Sequence, residues 1–136
     1  MSVTDIENTL KARVAAASAL PKAWPNQDFD PTKPGNLPYL ACDIVKAATT
    51  DRTLGATSPA FVGVLIVTIV VAKGTSTTIA NSHGDTISEA FPMTMRFDAG
   101  ALQIEVTQPP HVREGMTDGA YWRVPVRIAF MAHHRT

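Results

Sequence analysis

Cysteine is almost absent: Cys42 is the only one in 136 residues. A single thiol excludes an intrachain disulfide, and nothing here suggests an oxidising compartment. Charge is scarce as well. Only 18% of residues are charged, and twelve Lys and Arg cancel twelve Asp and Glu. A dedicated nucleic-acid binder carries a basic excess, so phosphate binding as the main task is disfavoured. A neutral, charge-poor surface also offers little resistance to self-association. No apolar run is long enough for a membrane helix. FVGVLIVTIVVA, residues 61–72, is the most apolar, and its 12 residues fall short of the roughly 20 required. The amino-terminal MSVTDIENTL carries Asp5 and Glu7 and lacks a charged-then-apolar signal pattern, so a soluble cytoplasmic protein is expected. Internal repeats and low-complexity segments are missing too. What remains is a chain of single-domain length, 1–136, able to bury roughly two-thirds of its unfolded surface.

Periodicity places the elements. Residues 2–19 predict a helix: Val3, Ile6, Leu10, Val14 and Ala17 form one apolar stripe, and Ser2 with Asp5 or Thr4 with Glu7 fits a capping box. Ala15, Ala16 and Ala19 would permit close approach of a sheet or a neighbouring subunit, although helix propensity alone explains them equally well. YLACDIVKAAT, 39–49, predicts a strand with Leu40, Cys42 and Ile44 on one face. Residues 61–72 predict a central strand, apolar on both faces, pairing with the first as a hairpin whose tip is the polar stretch 49–59. Residues 75–91 predict a second helix burying Ile79, Ala80, His83, Ile87 and Ala90, with Gly84 weakening it by about 1 kcal/mol. ALQIEV, 101–106, and YWRVPVRIAFMA, 121–132, alternate cleanly; Pro125 makes the last strand an edge or the site of a bulge. The expectation is an α+β fold of order α-β-β-α-β-β, with two helices on one face of a four-stranded, mostly antiparallel sheet.

Chemistry is thin. The histidines, His83, His111, His133 and His134, match no zinc spacing. His133 and His134 would face opposite ways on a strand and read as a solvated chain-end pair; His83 reads as a packing residue. Cys42 with a histidine base would be a nucleophile, but Asp43 points to the other face and a strand cysteine is usually a small buried hydrophobe. KGTSTT lacks the second glycine and the lysine placement of a phosphate loop. No catalytic residue, metal or cofactor is expected. Asp51 and Arg52 at the hairpin tip, and Arg113 and Glu114 after the double proline, are either solvated loop charges or partner contacts.

One stretch is unusual. WPNQDFDPTKPGNLPYL, 24–40, holds four prolines between Trp24 and Tyr39. It reads as an extended seam across the molecule, its ends anchored by Trp24, Pro25 and Tyr39. An alanine-rich helix end, then Trp24, Pro25, Asn26, Phe29, Pro31, Gly35, Pro38, Tyr39 and Leu40 leading into a strand, resembles the tail terminator, or tail completion, proteins of long-tailed bacteriophages and prophages. The order of the later elements is similar too. The resemblance implies a structural protein without catalytic residues. It implies a homohexameric ring that caps the tail tube, ends tube polymerisation and meets the head connector. The implied partners are other copies of the chain, the tail tube protein and the head–tail connector, with no membrane and no sequence-specific nucleic acid. The implied locations are the host cytoplasm during assembly and then the virion tail. The 49–59 tip would lie near the ring lumen or a ring face, and subunits would meet along sheet edges and helix flanks. Two alternatives stay open: a head–tail connector or other minor tail protein, and a small ligand-binding or enzymatic α+β domain.

Overall fold

The computed structural model describes residues 3–25, 29–30, 32–33, 37–46, 50–51, 59–74, 77–100 and 102–134. The helices are α1 (Val3–Ala17) and α2 (Thr77–Ala90). The strands are β1 (Lys22–Ala23), β2 (Tyr39–Lys46), β3 (Thr50–Asp51), β4 (Pro59–Ala72), β5 (Arg96–Ala99), β6 (Leu102–Val106), β7 (His111–Val112), β8 (Met116–Asp118) and β9 (Tyr121–His134). Ser2, Thr75 and Ser76, the expected helix caps, lie outside the described residues.

The fold is α+β, but the sheet is larger than the four-stranded one expected. Its main path runs β1-β2-β4-β9-β6-β5, with β3 added to β4 and both β7 and β8 added to β9. The four anticipated strands are its middle, β2-β4-β9-β6, all antiparallel. β1 joins β2 in parallel, so the sheet is mixed. The reason for the extra strands is length. β4 and β9 each run 14 residues and offer more ladder than β2 and β6 fill. Pieces of two or three residues, β3, β7 and β8, too short to show a period of their own, pair along the surplus, while β1 and β5 extend the sheet beyond β2 and β6.

The expectation that the last strand is an edge is also corrected. β9 lies between β4 and β6, and Pro125 pairs with Thr68. A strand residue presents its amide and its carbonyl to the same neighbour. The Pro125 carbonyl accepts the Arg113 amide at 2.8 Å, so the missing N–H faces residues 113–115. There the ladder lapses: Val112 opposes Val126 and Met116 opposes Arg123, leaving three residues opposite two. The bulge sits on the segment between β7 and β8 and spares the β4–β9 ladder.

The seam does not strap the molecule. β1, just before it, and β2, just after it, are neighbours: Lys22 pairs with Leu40, Ala23 with Ala41, and the Leu40 amide donates to the Pro21 carbonyl at 2.8 Å. The segment's described ends, Ala23 and Tyr39, therefore lie on adjacent strands. Tyr39 is buried and stacks on Phe29, with ring centroids 4.5 Å apart. Trp24 packs against the core under Lys11, whose Nζ lies 5.3 Å from the ring centroid, while Pro25 is exposed.

One face of the sheet, the inner face, carries the core. Leu65, Val67, Ile69, Val124, Val126 and Ile128 bury there with Ile6, Leu10 and Val14 of α1. The α1 stripe is flanked by polar contacts on both sides. Asp5 lies against Gly100 beyond β5, and Glu7 pairs with Lys46 of β2 at 3.5 Å. β2 and β5 flank opposite sides of the ladder, so the sheet curls until both reach one helix. Arg13 donates to the Ala90 carbonyl at 3.3 Å, giving α2 the cation that its own last turn lacks. The buried face of α2 is Ala80, Gly84 and Ile87, continuing to Phe91; Ile79, expected inside, is 45% exposed. Gly84 is the contact point with the sheet, where a Cβ would come within 3.2 Å of Val112 Cγ1. Its absent side chain sets the helix rotation.

Candidate functional site

β4 alternates in burial from Phe61 to Ile69. Phe61, Leu65, Val67, Ile69 and Val71 are buried under the helices. Val62, Val64, Ile66 and Thr68 point the other way and are half-buried or exposed. The strand is central, as expected, yet only one of its two apolar faces is covered along its length. On the outer face, cross-strand neighbours extend the apolar surface: Val45 opposite Val64, Ala129 opposite Val64, and Met131 opposite Val62. Val45 is 48% and Val62 39% exposed. Only the lower end is closed, where Tyr39 and Val70 are buried beside Phe29.

The outer face deepens into a groove of about 850 Å³. Ile66 and Pro125 lie in it, with Arg113, Glu114, Met116 and Arg127 around it. Residues 113–115 form a ridge, because a second groove of about 700 Å³ lies on their far side, against Asn81 and Asp85 of α2 and Trp122. Gly115 is required at the crest: a Cβ there would come within 2.4 Å of the Trp122 ring. The bulge opposite Pro125 thus lifts Arg113 and Glu114 between two depressions.

The sequence candidates separate accordingly. Arg113 and Glu114 stand together and exposed on the ridge. The Asp51 backbone pairs with Pro59 in β3, and its side chain lies outside the described residues. Arg52 lies outside the described residues. Pro59 and Thr68, the levels of Asp51 and Arg113 on β4, are nine residues apart, or about 30 Å along the strand. Asp51 and Arg113 are therefore far apart along the sheet. Trp24 and Pro25 line a smaller cavity of about 220 Å³ with Glu7, Lys11 and Asp43. Sequence reasoning missed Arg127, Met116 and Val62. The alternation of β9 places Arg127 away from the core, which is the signal that could have found it; Met116 lies on the short strand β8, and β4 reads as apolar on both faces, so neither Met116 nor Val62 had such a signal.

The residues considered for catalysis are differently placed. Cys42 is buried in the core, and burial pushes its thiol up to about 12, so the thiolate is suppressed near neutrality. Asp43 is exposed on the opposite face. His133 is not a solvated chain end but a half-buried β9 residue opposite Gln103; the His134 side chain lies outside the described residues. Among the described residues no group of three His, Cys, Asp or Glu is arranged to hold a metal ion, and no helix is long and apolar enough to cross a membrane.

Comparison with known proteins agrees with this surface-dominated picture. A family model described as phage tail terminator protein matches residues 5–130. Among solved structures, a chain that carries only a sequence identifier for a name is 25% identical, covering 100% of this chain and 97% of its own length, with a TM-score of 0.76. A search of the curated proteins returns no match.

Proposed function

This chain belongs to the phage tail terminator proteins and has a structural role in a phage tail; from that premise we propose that it closes the tail tube as a ring, ends tube polymerisation and offers the surface on which the head connector docks. The observation that carries the reading is the outer face of β4. A strand apolar on both sides has one side under helices and the other uncovered for most of its length. An apolar stripe of that kind is normally covered in the working state of a protein. Neighbouring copies in a ring would cover it, and the net charge of zero removes a barrier to their approach. The same neutrality suits a channel through which DNA passes without adhering.

Copies of the chain, the tube protein and the connector are the partners in this reading, with assembly in the host cytoplasm before incorporation into the tail. The test is negative-stain microscopy of the concentrated chain, alone and with tubes assembled from the tail tube protein of the same phage. Rings in solution or at tube ends are expected. A chain that forms no ring and does not bind tube ends overturns the proposal.

A further inference from the structure

Five large apolar side chains stand exposed among the described residues, and they divide between two surfaces. Val45, Val62 and Met116 belong to the outer sheet face; Ile79 and Met93 lie on the outer flank of α2 and just beyond its end. Because α2 packs on the inner face, these surfaces are on opposite sides of the molecule.

Their charges are complementary. Arg127, exposed beside Ile66, and Arg113 on the ridge take part in none of the ion pairs among the described residues. Glu114 offsets one of them and leaves the groove rim cationic. The sequence of α2, TTIANSHGDTISEA, has no Lys or Arg, and exposes Asp85 and Glu89 one turn apart. Asp85 borders the second groove, whereas Glu89 lies farther round the helix, on the side away from the sheet.

We infer that the outer flank of α2 in one copy seats on the outer sheet face of the next, with Glu89 meeting Arg127 while Ile79 and Met93 cover the apolar stripe; Asp85 and Arg113, which line one groove of the same copy, lie outside this contact. The inference rests on the ring reading and specifies its interface. Two different patches on opposite sides of one body cannot satisfy each other in a two-fold pair. They propagate head to tail, and such a contact closes into a ring when its rotation permits. Charge pairs set register and orientation, and the apolar pairs supply area.

The experiment is a charge swap in the full-length chain. Arg127→Glu and Glu89→Arg are each expected to weaken self-association by about tenfold or more, and the double variant to recover most of the loss. Sedimentation velocity over a concentration series reads the effect, and high salt should weaken the wild type in the same direction. Both residues are exposed, so circular dichroism should show unchanged folding; Ile79→Asp tests the apolar half separately and should also dissociate the copies. If the wild type assembles only on tube ends, the same variants are scored there by counting capped ends. Rings that ignore both reversals, or a double variant as weak as the single ones, overturn this interface and leave the ring reading standing. Failure of the wild type to cap tubes would instead remove the ring reading itself.

Discussion

The two faces of β4 have nearly the same composition and opposite surroundings. Phe61, Leu65, Val67, Ile69 and Val71 are buried in the core, whereas Val62 is exposed and Val64 and Ile66 are only half-buried. The difference teaches that hydrophobicity sets a demand for cover without saying which molecule supplies it. On the inner face the same chain supplies it, at the cost of close steric fits. Gly63 is one: a Cβ there would come within 2.9 Å of both Phe130 Cζ and the Val45 carbonyl oxygen.

That contrast can be broken most forcefully from the inside. Phe130→Ala removes a fully buried ring that lies across Gly63, and should cost about 3–5 kcal/mol in urea unfolding. A cost near that of a surface change would mean that the inner face is not the core.

Next comes the thiol. Cys42 in the folded chain titrates at about 12 against an ordinary 9.0, because burial disfavours the thiolate. A raised acid contributes stability fully below its unfolded value and loses it as pH climbs through the folded one. Stability should therefore fall between pH 9 and pH 12 by up to a few kcal/mol, and Cys42→Ala should flatten part of that slope. Equal slopes in both proteins would refute the burial argument.

Gly63→Ala follows, at about 1–3 kcal/mol, since one of the two atoms in the way is backbone and cannot swing aside. The smallest change in stability is expected outside. Val62→Thr keeps the shape of an exposed residue and should alter unfolding by less than about 0.5 kcal/mol while lowering self-association. If it destabilised the monomer as much as an inner-face substitution, the outer face would be part of the core and the division drawn here would fail.

Much of this molecule is legible in the order of its residues. The stripe Ile6, Leu10, Val14, the alternation of β4 and of Val124 to Phe130, and the pairing of β2 with β4 follow from periods of 3.6 and 2, which are local properties of the backbone. The family was likewise readable from the proline-rich segment and the element order. Other features depend on contacts between residues far apart in the chain, and only the tertiary structure decided them. The rotation of α2 turned on Val112 accommodating Gly84, so Ile79 went out rather than in. The position of β9 turned on a bulge in 113–115 that tolerates Pro125. The two ends of the seam came together because β1 paired with β2. The curl of the sheet, which brings β2 and β5 to opposite flanks of α1, also decided which apolar face stayed open. Period determines which side chains share a face; the packing of distant segments determines what that face meets.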